Sequence, residues 1–109
     1  MKVLAIPKVL EYMENLIPLL YEKGYFGFRE TAKKYVDELY NEILDTLPFQ
    51  PHKPAPKYFD KYGKNLEYAF FTKNKRTTWY VFFRVYKIDG EEIYQVRYIA
   101  NNHTIAQFL

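Results

Sequence analysis

The hydrophobic periodicity of the chain changes near Pro48, and this change limits the possible folds more than any other feature. Before Pro48, apolar residues recur at steps of three and four, which is the spacing of one helix face. The pattern predicts a helix at 7–23, closed by Gly24, and a second helix at 32–47. The short GYFGF connection at 24–28 then predicts an antiparallel helical hairpin.

Beyond the proline-rich middle of the chain, the apolar pattern becomes that of β-strands. The predicted strands are 66–72, 77–87 and 92–100. Asp89-Gly90 is a favoured two-residue hairpin turn between the last two. The short apolar segment 2–6, which ends at a proline, predicts an edge strand. The order β-α-α-β-β-β predicts an α+β fold with the helical hairpin packed on one face of a small, mostly antiparallel sheet.

A hairpin turn at Asp89-Gly90 determines which strand residues share a face of the sheet. Three cross-strand pairs are expected to point towards the helices: Val85 with Tyr94, Phe83 with Val96, and Val81 with Tyr98. The opposite face is expected to be open and to carry aromatic and polar side chains together: Tyr80, Phe82, Arg84, Tyr86, Gln95 and Arg97.

Residues 49–65 separate the helices from the three strands. The segment contains Pro51, Pro54, Pro56 and Gly63, a composition that predicts a loop rather than a strand. Because the loop is longer than most connections in compact domains, we expect it to have a function.

The net charge of +3 is divided unevenly along the chain. Residues 1–50 hold six Lys/Arg and eight Asp/Glu (6 − 8 = −2), whereas residues 51–109 hold ten and five (10 − 5 = +5). The basic residues that we assign to nucleic-acid binding are Lys53, Lys57, Lys64, Lys73, Lys75, Arg76 and Arg97. Tyrosines and phenylalanines lie among them, a mixture that suits a polyanion. The alternative is a solvated loop whose lysines only keep the protein in solution.

Length and residue types exclude several classes of protein. The 109 residues predict one domain, spanning 1–109. The absence of Cys excludes a disulfide framework. The chain has only two His, and no carboxylates lie at ligand spacing from them, so we expect neither a metal nor a cofactor. Pro7 and Lys8 interrupt the apolar start, and no run of about 18 apolar residues follows, so we expect a cytoplasmic protein without a membrane partner.

The residues that could carry chemistry are His103, Arg84 and Tyr80. RNA cleavage without a metal requires proton transfer and neutralisation of phosphate charge, and these are the residue types that supply both. We expect His103 to follow the last strand, close to Arg84, Arg97 and Tyr80. In the alternative, His103 only terminates the strand together with its neighbouring asparagines. The arginines could equally form a salt-bridged sheet surface or a stacking surface for bases.

The element order and the segment KNKRTTWYVFFRVYKIDGEEIYQVRYIANNHTIAQFL resemble the RelE/ParE superfamily of type II toxin-antitoxin toxins. The resemblance covers the whole chain and concerns topology more than motif. RelE-like nucleases carry an arginine where this chain has Tyr80, and a basic residue where it has Asn101 and Asn102. His103, followed by Phe108, is closer to the histidine-using YafQ-like nucleases.

The resemblance implies a function and partners. In its RelE branch it implies a ribosome-dependent mRNA endonuclease that uses basic and His or Tyr residues on the sheet. In its ParE branch it implies an inhibitor of DNA gyrase. Both branches imply a cognate antitoxin whose disordered or helical segment wraps the toxin. A non-catalytic toxin-like binding protein is the alternative.

Overall fold

The protein consists of a five-stranded sheet with two long helices on one face. The structure is a computed structural model that describes residues 1–24 and 26–109. The elements in chain order are β1 Lys2–Ala5, α1 Pro7–Glu22, α2 Arg29–Thr46, β2 Lys53–Pro54, β3 Glu67–Thr72, β4 Thr78–Ile88, β5 Glu91–Asn101 and α3 Asn102–Ile105. The strand order across the sheet is β1-β5-β4-β3-β2. The strand β1 is parallel to β5 and the other pairs are antiparallel, so the predicted α+β class and the edge strand are confirmed.

Both long helices follow the predicted periodicity. Pro7 occupies the first turn of α1, where its missing N–H costs nothing, and Gly24 follows the helix with φ +76°. The helix α2 ends at Thr46 rather than at the predicted residue 47, because a 3₁₀ turn at Leu47–Phe49 accommodates Pro48. Of the predicted GYFGF connection, Tyr25 lies outside the described residues.

The core between the helices and the sheet contains mainly aliphatic side chains. The buried helix residues are Val9, Met13, Leu16, Val36, Leu39 and Ile43. They pack on strand residues that include Val81, Phe83, Val96 and Ile99. Trp79 is buried in this core, and its Nε1 donates to the hydroxyl of Tyr35 at 2.8 Å. We call this side of the sheet the helix face.

The β4–β5 hairpin has the predicted turn but not the whole predicted register. Asp89 and Gly90 have φ of +51° and +82°, as a two-residue turn of this twist requires. The pairs Val85 with Tyr94 and Phe83 with Val96 are confirmed. The pair Val81 with Tyr98 is wrong, because a β-bulge between Phe82 and Phe83 shifts the register and Val81 pairs with Ile99.

The face opposite the helices, the second face, is not open as predicted. Phe82 is fully buried there beneath Phe59, which stacks on it at 4.3 Å between ring centroids. Phe59 belongs to a 3₁₀ helix, Lys57–Tyr62, within the proline-rich segment, and Ile105 of α3 joins the same cluster. The segment 49–65 is therefore not a plain loop, since it also contributes the short strand β2, which pairs with β3. Arg84 remains exposed on the uncovered half.

Candidate functional site

His103 is exposed at the end of the sheet where β5 leads into α3. The side chain of Asn101 caps the short helix by accepting the backbone N–H of His103 at 2.9 Å. The imidazole Nε2 lies 3.4 Å from the hydroxyl of Thr77, in the turn between β3 and β4. The tail and this turn therefore lie side by side, and we call the region formed by residues 73–77 and 101–104 the turn end.

Two asparagine side chains fix the backbone of the turn end. Asn74 accepts the backbone N–H groups of Arg76 and Thr77 at 2.8 and 2.9 Å. Asn102 accepts the N–H of Thr78 at 2.9 Å and donates to the carbonyl of Arg76 at 3.0 Å. The alternative for His103, that it ends the strand together with its neighbouring asparagines, agrees with the cap at Asn101, and Asn102 in addition fixes the basic turn next to His103.

The basic residues of the turn end are not equivalent. Lys73 forms an ion pair with Glu42 of α2 at 3.2 Å, and its side chain is only 20% exposed. Lys75 and Arg76 are exposed and form no ion pair within the described part of the chain. Lys75 and Arg76 are therefore the cations of this turn that are available to an anionic ligand.

A cavity of about 520 Å³ opens beside His103. Its apolar lining residues include Leu16, Leu20, Phe26 and Trp79. Its polar lining residues include Lys23, Asn74, Thr77 and His103. A largely apolar lining with a few polar groups is typical of a small-molecule or nucleobase site.

Arg84 lies apart from His103, contrary to the expected cluster. Thr78 begins β4 and Arg84 lies six residues further along, which is about 20 Å at the usual rise of a strand. Tyr80 is half-buried on the second face, with its ring centroid 6.0 Å from that of Tyr68. The structure therefore brings His103 together with the 73–77 turn and not with Arg84, while the ring of Tyr80 packs on the second face.

The predicted lysines of the proline-rich segment lie at the surface. Lys53, Lys57 and Lys64 are exposed and form no ion pair among residues 1–24 and 26–109. The Nζ of Lys61 lies 4.0 Å from the ring centroid of Tyr58, which is a cation–π contact. These lysines belong to the same segment as the aromatic cover of the second face, and their exposed side chains are accessible to a polyanion without any rearrangement of the fold.

Arg97 does not lie on an open face with Arg84. Its Nε donates to the carbonyl of Tyr62 at 2.7 Å, and one terminal nitrogen donates to Gln95 Oε1 at 2.9 Å. It lines a second cavity, of about 350 Å³, between β5 and α1. Tyr98 lies beside it, and its ring stacks on that of Tyr62 at 3.7 Å.

Two tyrosines that line this second cavity, Tyr98 of β5 and Tyr12 of α1, keep their protons near neutral pH. Burial raises the pKa of Tyr98, and the neighbouring hydroxyl of Tyr62 raises it further. Burial also raises the pKa of Tyr12, which lines both cavities. These hydroxyls are therefore hydrogen-bond donors and not proton acceptors near neutral pH.

Other classes of site are absent from the described residues. No three His, Asp or Glu side chains come together there in a group that could hold a metal ion. None of the helices formed by those residues has the length and apolar character needed to cross a membrane.

Comparisons of the chain with protein-family models, with curated proteins and with solved structures find no match. The functional assignment therefore depends on the residues and on their geometry.

Sequence reasoning missed the link between the tail and the β3–β4 turn. Asn102 and Arg76 are 26 residues apart, and nothing in the local pattern of either segment indicates the other. A signal existed for the cover of the second face, since Tyr58, Phe59 and Tyr62 have the spacing of one helical side. The prolines around them favoured a loop instead.

Proposed function

We propose that this protein is a toxin of the RelE/ParE type that binds RNA at its turn end and cleaves it there without a metal ion. The observation that carries the proposal is an exposed His103 next to a basic turn and beside a cavity of about 520 Å³. The substrate in this proposal is mRNA on the ribosome. A cognate antitoxin would bind the protein and suppress its activity.

Metal-independent cleavage of RNA is a displacement at phosphorus. The 2′-oxygen loses a proton and bonds to phosphorus, while the bond to the 5′-oxygen breaks and that oxygen takes up a proton. The products are a 2′,3′-cyclic phosphate and a 5′-hydroxyl. His103 is the candidate proton-transfer group, because histidine is the side chain that exchanges protons near neutral pH.

The negative charge that develops on the phosphate needs cations close by. We assign this role to Arg76 and Lys75, which are exposed in the turn that Asn102 links to the tail. Arg84 was the sequence-based candidate, but its separation of about 20 Å from the start of β4 supports Arg76 instead. The aromatic lining of the cavity offers a surface on which a neighbouring base can stack.

The alternative function is a non-catalytic toxin-like binding protein, either a gyrase inhibitor or an inactive homologue. The separation of His103 from Arg84 favours it, because two of the residues expected to act together do not meet. A binding protein would use the same basic surface without proton transfer.

Cleavage of mRNA in a reconstituted translation reaction separates these functions. Replacing His103 with Gln removes the proton-transfer group, so the cleavage rate should fall by about 10² to 10⁴. His52→Gln is the matched control, because His52 is half-buried and its Nε2 lies 3.1 Å from the carbonyl of Leu47, to which Gln can still donate. Circular dichroism confirms that each variant is folded.

Two results would contradict the proposed mechanism. A His103→Gln variant that cleaves as fast as the parent would remove the proton-transfer role. A parent protein that leaves mRNA intact but inhibits supercoiling by gyrase would establish the alternative function.

A further inference from the structure

Arg97 is the extra residue of the β-bulge in β5. Phe83 pairs with Val96 and Phe82 pairs with Tyr98, so Arg97 has no partner in β4. On the other side of β5, pairing with β1 ends at Val96. Bulges turn a side chain away from the regular alternation and are frequent next to binding sites. Here the bulge directs Arg97 into the cavity between β5 and α1.

The guanidinium of Arg97 is fixed by neutral partners. It donates through Nε to the carbonyl of Tyr62 and through a terminal nitrogen to Gln95. A guanidinium has five N–H donors, so three remain available. No carboxylate forms an ion pair with it among residues 1–24 and 26–109. The positive charge is thus half-buried, held in place and not ion-paired within the described part of the chain.

Gly63 allows the backbone to close on this side chain. Its φ is +149°, and a Cβ at this position would lie 2.8 Å from Arg97 Nε. Any other residue would therefore push the arginine out of its position. The glycine, the bulge and the two hydrogen bonds together pre-organise the guanidinium for a ligand.

The cavity at Arg97 carries further donors and one opposing charge. Lys8 adds a second cation, and the hydroxyl of Tyr12 and the amide of Asn15 are neutral groups along its wall. Burial raises the pKa of Tyr12, so its hydroxyl keeps the proton to donate. Glu11 is the one acidic residue in the lining, and it is exposed.

We infer that the cavity at Arg97 binds the phosphate group of a phosphate monoester. The free N–H groups of Arg97 can hold two phosphate oxygens side by side, and Lys8 adds the second charge that a dianion requires. A volume of about 350 Å³ also leaves room for the organic part of the ester. The inference does not rest on the proposed function, since His103 and the basic turn are not part of this site.

Calorimetric titration of the full chain tests the site. Inorganic phosphate and glycerol 3-phosphate are the two probes, and glycerol is the phosphate-free control, so that no probe carries a base for the cavity at the turn end. We expect saturable binding of both phosphate compounds and none of glycerol. Tighter binding of the ester would support a phosphate monoester as the ligand, and tighter binding of inorganic phosphate would contradict it.

Arg97→Gln should weaken phosphate binding about tenfold or more, because it removes charge-assisted hydrogen bonds. Arg84→Gln is the matched control, since it removes an equal charge from an exposed position outside the cavity. Binding that is equally tight in the Arg97→Gln variant would overturn the inference, as would the absence of saturable binding in the parent.

Substitutions on the exposed surface of α1 test the site without disturbing the bulge. Lys8→Gln should weaken binding, and Glu11→Gln should strengthen it by about two- to fivefold, the range of an exposed charge interaction. Glu14→Gln, one turn further along and outside the cavity lining, should change nothing. Identical affinities in the Lys8, Glu11 and Glu14 variants would contradict the site. Neither result bears on RNA binding at the turn end, so the phosphate site and the proposed function are tested independently of each other.

Discussion

The two ends of the sheet both consist of a turn between antiparallel strands, but they differ in charge. The turn end has three basic residues and no acidic residue within 73–77 (3 − 0 = +3). The hairpin end, residues 84–92, has two basic and three acidic residues (2 − 3 = −1). Arg84 therefore lies in a region with little attraction for RNA, whereas Arg76 lies in a basic one. Residue type alone did not distinguish these two arginines.

The two ends also differ in what fixes their geometry. At the hairpin end two neighbouring residues with positive φ, Asp89 and Gly90, form the turn. At the turn end the side chain of Asn102 reaches across from the tail to two backbone groups, and His103 follows it directly. A turn that is fixed by a distant segment brings together functional groups that are far apart in the sequence.

The first prediction breaks the link at the turn end and has the largest expected effect on stability. Asn102→Ala leaves the N–H of Thr78 and the carbonyl of Arg76 without their partner, so the unfolding free energy should fall by about 1–3 kcal/mol. RNA affinity should fall as well, because the basic turn loses its fixed position. Urea unfolding and RNA titration measure the two effects.

Gly90→Ala is the matched change at the hairpin end. It introduces a Cβ at a φ of +82°, which should cost about 1–2 kcal/mol of stability. RNA affinity should stay as in the parent. A loss of RNA affinity equal to that of Asn102→Ala would show that general destabilisation, and not the geometry of the turn end, governs binding.

The second prediction sharpens the contrast between the packed and exposed halves of the second face. Burial and Tyr62 raise the pKa of Tyr98 in the folded protein. The neutral hydroxyl of Tyr98 therefore adds stability that is fully present below its pKa in the unfolded chain, about 10. This stability is lost as the pH rises through the higher pKa of Tyr98 in the folded protein. Urea unfolding between pH 8 and pH 11 should show a smaller alkaline loss for Tyr98→Phe than for the parent.

The control for this prediction is Tyr21→Phe, at an exposed position on α1. It should leave the alkaline loss of stability unchanged. An equal reduction in both variants would mean that the packed half of the second face has no particular dependence on a neutral tyrosine.

The sequence was sufficient for the elements whose contacts repeat along the chain. The apolar stripe of α2 and the pairing of Val85 with Tyr94 follow from the spacing of neighbouring residues, so periodicity predicted them. The bulge at Arg97 and the packing of Phe59 on Phe82 depend on contacts between distant segments. Local propensity contains no information about such contacts, so the open second face and the cluster around Arg84 were predicted wrongly.

We propose that RNA binds at the turn end, and the most direct test removes two positive charges from each end of the sheet in turn. Affinity for a single-stranded RNA is measured over a range of salt concentrations for two double variants, Lys75→Ala with Arg76→Ala and Arg84→Ala with Lys87→Ala. The turn-end variant should bind more weakly and lower the salt slope by about 1.4, since each phosphate contact on a single strand contributes about 0.7. The hairpin-end variant should bind as the parent does. Equal losses in the two variants, or a larger loss at the hairpin end, would contradict the claim.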